Sequence, residues 1–143
     1  MYNAKIHKLF QYTFMNLNWY NTLNKAPLTP PSEYFMPVWC IIYALIIISL
    51  IIYLATKTKK NKNVGIIICL IQIILNLSWI PTFFIFENAG LSLIIILVLN
   101  IIIAIQIILF YKISKLSAYL LIPYILWITF ASYLNTYIYL FNK

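Results

Sequence analysis

The side chains that could carry chemistry in this sequence are tryptophans and amides rather than acids, bases or metal ligands. The 143 residues include two glutamates, Glu33 and Glu87, no aspartate, a single histidine, His7, and two cysteines, Cys40 and Cys69. Both glutamates sit at the ends of apolar runs, and both cysteines lie inside such runs, where a thiol behaves as a small buried hydrophobe. No Ser/His/Asp set, paired carboxylate or group with metal-ligand spacing can be assembled from these residues. Hydrolytic and metal-assisted chemistry are therefore not expected, and no metal or obligatory cofactor is. Any reaction would have to use aromatic side chains on a bound, reactive ligand.

Trp19, Trp39, Trp79 and Trp127 are the prominent aromatics. At helical spacing Trp39 and Tyr43 share a face, as do Asn76, Trp79 and Phe83, and as do Tyr124, Trp127, Ala131 and Asn135. Each face joins an aromatic ring to an indole N–H, a phenol or an amide. In hydrocarbon such groups need partners, so these faces are expected to point into the protein. Two readings stay open for them: ordinary helix-packing aromatics, or the walls of a ligand cavity. Asn76, Asn100 and Asn135 are expected to make interhelical hydrogen bonds, worth about 0.6 to 2 kcal/mol each, and for Asn76 and Asn100 a polar spot in a cavity is the alternative. Gln72 and Gln106 fit the first role better.

These faces must be carried by membrane-spanning helices. Apolar and aromatic residues make up 64% of the chain and charged residues only 8%, too few to clothe a water-soluble surface. Mean hydropathy is +0.95. Four segments, 34–55, 64–86, 91–111 and 116–141, each supply the roughly 20 apolar residues that a bilayer crossing needs. With no backbone group allowed to stay unpaired in lipid, they are expected to be helices, and the alternating pattern of a transmembrane barrel is absent. The expected fold class is an all-α integral membrane bundle of five transmembrane helices in one domain. Its first helix, within 1–24, is short and atypical: Ile6, Leu9, Phe10, Thr13 and Leu17 keep helical spacing, but Lys8, Gln11, Asn16 and Asn18 interrupt the run. The short connections should make neighbours in sequence antiparallel neighbours in space. Trp127 then falls near the middle of the last span, roughly 15–20 Å from either end, which an interfacial aromatic belt does not explain.

The net charge of +8 does not mark a nucleic-acid binder, because the lysines cluster at the ends of apolar runs. With five crossings and the N-terminus inside, Lys5, Lys8, Lys57, Lys59, Lys60, Lys62, Lys112 and Lys115 are cytoplasmic, and only Lys25 and Lys143 lie outside. Without the first crossing the bias is weaker, so the positive-inside rule favours five. Opposite the basic loops, residues 25–33 form a proline-rich connector, Lys25-Ala26-Pro27-Leu28-Thr29-Pro30-Pro31, before the first strong span. Thr29 could cap the next helix, with Pro30 opening it and Glu33 in its first turn. Alternatively, Pro30 and Pro31 belong to a stiff lid over a cavity mouth.

Four motifs occur in order: Lys25-Ala26-Pro27 with Pro30-Pro31; Phe35, Val38-Trp39 and Tyr43; Leu75-Asn76, Trp79 and Phe83-Phe84; and Pro123-Tyr124, Trp127, Phe130-Ala131 and Leu134-Asn135. Over roughly residues 19 to 138 the chain resembles the TspO family, whose members are called tryptophan-rich sensory proteins in bacteria and translocator protein or peripheral benzodiazepine receptor in animals. The resemblance implies a bundle of five helices, often a homodimer, with an outward-opening pocket beneath the proline-rich loop. It implies a porphyrin such as protoporphyrin IX or haem as ligand. Trp39 and Trp127 would face each other across the pocket, with Asn76, Trp79, Phe83, Tyr124 and Ala131 lining it. It also implies that Trp127, with Trp39, supports light-dependent breakdown of porphyrin if the chain is an enzyme at all. Leu28 stands where many members carry Trp, and Asn100 where many carry Asp.

Three functions follow as expectations: a tetrapyrrole-binding sensor or transporter in a bacterial cell membrane, a photo-oxidative enzyme, or a membrane assembly or subunit protein. The orientation is checked by labelling. In a chain without Cys40 and Cys69, Lys59→Cys should react with a membrane-impermeant maleimide only after the cells are permeabilised. Labelling of intact cells would reverse the topology.

Overall fold

The lipid-facing and buried faces of the long helices are set by a repeat of three and four residues. The computed structural model describes residues 17–142, and the described residues are helical with no strand among them. The elements are α1 (Leu17–Asn21), a 3-10 turn (Ser32–Tyr34), α2 (Phe35–Ala55), α3 (Asn63–Phe84), α4 (Ala89–Tyr111), α5 (Lys115–Tyr119) and α6 (Ile122–Phe141). Along α3 the buried positions are Gly65, Cys69, Gln72, Asn76, Trp79 and Phe83, joined at its end by Thr82 and Phe84; along α4 they are Ser92, Ile96, Leu99, Ile103, Gln106 and Phe110. This 3.5-residue spacing gives each helix one seam that faces its neighbour. Small, polar and aromatic residues occupy the α3 seam and aliphatic ones share that of α4, while Ile94, Ile101 and Ile108 stand exposed on the opposite face of α4. Such an inside-out arrangement is what lipid demands. Four helical stretches among the described residues are long and apolar enough to cross a membrane: α2, α3, α4, and α5 with α6 taken together. With α1 they form an all-α membrane bundle of five helices. His7, Lys5, Lys8, Lys143 and the positions Ile6 to Thr13 lie outside the described residues.

Several local expectations are corrected. The last span is not continuous: it breaks at Leu120 and Leu121, between α5 and α6. Pro123 explains the break, because it cannot donate to the carbonyl four residues back and its ring crowds that carbonyl; it is accommodated in the first turn of α6 instead. Thr29 does not cap α2. Its hydroxyl donates back to the Ala26 carbonyl at 2.7 Å, and α2 starts after Tyr34 without any side-chain cap. α4 begins at Ala89, earlier than its hydropathy suggests, because the Asn88 side chain accepts from the Leu91 N–H at 2.9 Å. Glu87 supplies the positive φ, 52°, that turns the chain between α3 and α4.

Sequence neighbours are not always packing neighbours. α3 lies along α4, and α4 along α6, whereas α2 approaches α5 and α6. α2 and α3 meet through long side chains. At one end the Tyr20 ring is wedged between them, 5.7 Å from Phe35 on α2 and 6.4 and 6.0 Å from Phe83 and Phe84 on α3. The Ser49 hydroxyl fastens α2 to the Ser117 carbonyl of α5 at 2.6 Å.

The two basic connections share the other end of the bundle. Lys60 Nζ donates to the Lys112 carbonyl at 2.9 Å, and Lys62 Nζ to the Leu54 and Thr56 carbonyls at 2.8 and 2.6 Å. These ammonium groups neutralise orphan carbonyls at helix C-termini, where the helix dipole favours a cation. Nearby, Tyr53 stacks on Phe110 with centroids 3.9 Å apart and donates to the Lys62 carbonyl at 3.1 Å. A Cβ on Gly65 would strike the Tyr53 hydroxyl. Gly65→Ala should therefore lower the thermal midpoint in detergent, by an overpacking cost of about 1–3 kcal/mol. Adding Tyr53→Phe should return part of that loss; equal losses in both backgrounds would show that the glycine is not needed for this contact.

Candidate functional site

The aromatic residues singled out by spacing converge at the end of the bundle that carries the proline-rich loop. Trp39 of α2, Trp79 and Phe83 of α3, and Trp127 and Ala131 of α6 line one cavity, together with Tyr20, Phe35, Phe84, Leu134, Asn135 and Ile138. Trp39 lies 6.2 Å from both Trp79 and Trp127, tilted at 35° to the first and edge-on at 87° to the second. Trp79 stacks on Phe83 at 5.1 Å, and Trp19 abuts the other side of Phe83 at 5.3 Å. The four indoles thus belong to one cluster rather than to a belt around the bundle. Their rings nearly fill the chamber, leaving a free volume of about 40 Å³, close to that of a single water molecule.

Asn135 holds one wall in place. Its Oδ1 accepts from Trp79 Nε1 at 3.0 Å and from the Ser92 hydroxyl at 3.1 Å, while its Nδ2 donates to the Ala89 carbonyl at 3.0 Å. One amide therefore fixes an indole of α3 and the start of α4 onto α6. Trp127 is different: its Nε1 is buried and has no hydrogen-bond partner among the described residues. It is held by ring contacts alone, to Phe35 at 6.4 Å, Phe130 at 5.9 Å and Trp39.

Tyr43, Asn76 and Tyr124 are not on the cavity wall. They form a hydrogen-bonded brace next to it, deeper in the bundle. The Tyr43 hydroxyl donates to Asn76 Oδ1, Asn76 Nδ2 donates to the Tyr124 hydroxyl at 2.8 Å, and that hydroxyl donates to Gln72 Oε1 at 2.7 Å. α2, α3 and α6 are joined by this chain, and Tyr43 also stacks on Trp39 at 5.8 Å. Asn100 serves the α4–α6 seam elsewhere: its Nδ2 donates to the Ser132 hydroxyl at 2.7 Å and the Ile96 carbonyl at 2.8 Å, and its Oδ1 accepts from Thr129 at 3.0 Å. Pro30 and Pro31 do not line the cavity either. Tyr20, Phe35 and Phe84 close the loop end of the chamber instead, and Ala26 is the buried residue of the proline-rich loop. These three rings, with Leu134 and Ile138, were not site candidates: Phe35, Phe84 and Leu134 stood only in the motifs that carry the resemblance, and spacing does not set Tyr20 or Ile138 apart from other apolar residues. Asn135 was expected only as an interhelical hydrogen bonder, although its phase with Tyr124, Trp127 and Ala131 put it on the same face.

Fold and site together define a multi-pass integral membrane protein whose helical bundle encloses an aromatic chamber at one end. The chain belongs to the TspO/MBR family, whose model matches residues 4–140. It is similar to the tryptophan-rich protein TspO of Chlorobaculum tepidum, with 40% identity over 82% of this chain and 75% of the relative. The tryptophan-rich protein TspO of Archaeoglobus fulgidus is 38% identical over 87% of this chain and 80% of its own length. The human translocator protein is 32% identical, covering 83% and 72%.

The brace makes a quantitative prediction. Asn76→Leu and Tyr124→Phe should each destabilise the bundle, and the double variant should lose less than their sum, with a coupling of about 0.6–1.7 kcal/mol. Strict additivity in detergent unfolding would mean that the two groups do not share a bond. Asn135→Leu, which strands the Trp79 N–H, should cost about 1–3 kcal/mol.

Proposed function

We propose that the aromatic chamber binds flat hydrophobic ligands of the porphyrin class, protoporphyrin IX or haem, and that the protein acts as a sensor or transporter of them. The observation that carries this reading is the convergence of Trp39, Trp79 and Trp127 in one apolar chamber deep within a membrane protein. Indole faces stack on flat conjugated rings, and burial among them removes such a ligand from water. The unpartnered Trp127 N–H offers one hydrogen bond to an acceptor on the ligand. Because the free volume is small, binding requires the rings to part, and the ligand takes the place of their contacts with each other. The names of the relatives, sensory and translocator proteins, agree with this role.

The same reading places the protein in a bacterial cell membrane as a homodimer with a cytoplasmic N-terminus. Lys57, Lys59, Lys60, Lys62, Lys112 and Lys115 share the end of the bundle opposite the chamber. With that end in the cytoplasm, the chamber lies in the outward half of the bilayer.

Titration of protoporphyrin IX into purified protein should quench tryptophan fluorescence saturably, and Trp39→Phe or Trp127→Phe should weaken the binding. Linear, unsaturable quenching unaffected by both substitutions would remove the proposal. The edge-on pair of Trp39 and Trp127 supports a second reading, photo-oxidative degradation of the bound porphyrin. Illumination of the complex in air should then bleach the porphyrin absorbance, and Trp127→Phe should slow the bleaching. Equal bleaching in both proteins would exclude a part for this indole.

A further inference from the structure

We infer that the chamber's ligand enters sideways from the bilayer, through a groove between α2 and α6 that Trp127 alone separates from the chamber. The inference rests on the ligand-binding reading above. The groove has a volume of about 450 Å³ and is lined by Val38, Ile41, Ile42 and Leu45 of α2 and by Pro123, Leu126, Trp127 and Phe130 of α6. Its lining is apolar, and Ile41, Pro123 and Leu126 are exposed at membrane depth. Of all the residues around it, Trp127 is the one that also lines the chamber. The indole is therefore a partition between a lipid-filled groove and the space the ligand must occupy.

Two further observations make the partition movable. First, the Trp127 N–H has no partner among the described residues, so turning the ring about its side-chain torsions breaks no hydrogen bond with them. Trp79, across the chamber, is tied to Asn135 and lacks that freedom. Second, the loop end of the chamber is latched. The Asn24 N–H donates to Asn142 Oδ1 at 2.7 Å, Asn142 Nδ2 returns a bond to the Asn24 carbonyl at 2.9 Å, and Asn24 Nδ2 reaches the Phe141 carbonyl at 3.3 Å. These bonds pin the start of the proline-rich loop to the end of α6, above the plug of Tyr20, Phe35 and Phe84. A ligand coming from water at the loop end meets this latch and three rings, and one coming from the polar groove beside Glu87 and Asn142 meets Ile138, which packs in the core. A ligand dissolved in the hydrocarbon meets one unlatched indole. The occupant of the groove is thus the chamber's own ligand in transit, a flat hydrophobic molecule drawn from the membrane.

Association kinetics in lipid nanodiscs decide between the two routes, with protoporphyrin IX as probe and its own absorbance as signal. In a Cys40→Ala background, Leu126→Cys is compared before and after reaction with a bulky maleimide; Cys69 is buried and does not react. The label should slow association and dissociation together, by about tenfold, and leave Kd unchanged because it lies outside the chamber. Asn142→Ala, which opens the latch, should leave the association rate as it is. Faster association in Asn142→Ala, or an unchanged rate in the labelled protein, overturns lateral passage while leaving the ligand reading intact. Absence of saturable binding in the unlabelled protein overturns both.

Discussion

A polar group on a transmembrane helix has no water to turn to, and this constraint orders the whole bundle. Amides, hydroxyls and indole N–H groups in the spans find partners on another helix or in their own turn, and the buried Trp127 N–H and Gln106 amide are the exceptions among the described residues. The short side chains take the second course: Ser78, Thr82 and Thr136 donate to carbonyls three or four residues back. Most amides take the first, but Gln106, expected to bond between helices, is buried with no hydrogen-bond partner among the described residues. Asn76 joins three helices through Tyr43 and Tyr124, Asn100 ties α4 to α6, and Asn135 binds α3 and α4 to α6. In lipid there is no hydrophobic force to press helices together, so these bonds and the fit of the 3.5-residue seams decide which faces meet.

The chamber follows from the same constraint. Where the seam residues are small or aliphatic, as along α4, backbones approach closely. Toward the proline-loop end the seams carry Trp39, Trp79, Phe83 and Trp127, and Tyr20 enters between α2 and α3. Rings of this size hold the helices apart, and little free space is left between them. The fastening is unequal: Trp79 is locked by Asn135, whereas Trp127 has only ring contacts. A rigid wall and a movable one thus face each other across the same chamber.

Much of this was legible in the sequence, for reasons that can be named. The long helices follow from runs of Ile and Leu, because lipid leaves the backbone no alternative. The shared faces of Trp39 with Tyr43, and of Asn76 with Trp79 and Phe83, follow from helical phase. What phase cannot show is depth along the seam. Tyr43, Asn76 and Tyr124 have the same angular position as the chamber residues but lie beyond its floor, while Asn100 points into another seam. The part played by Tyr20, Phe35 and Phe84 was hidden because closing a cavity needs bulk, and bulk is common in this chain. The break before Pro123 was readable from the missing N–H, yet continuous hydropathy across residues 116–141 masked it.

The central claim is that the indole cluster is a ligand chamber that opens by parting its own rings. Fluorine NMR of protein grown with 5-fluorotryptophan reports on each of the four indoles in one spectrum. On addition of protoporphyrin IX, the resonances of Trp39, Trp79 and Trp127 should shift together and saturate at one ligand per chain, with Trp127 the most displaced. A spectrum unchanged at saturating porphyrin, or a shift confined to Trp19, would contradict the account.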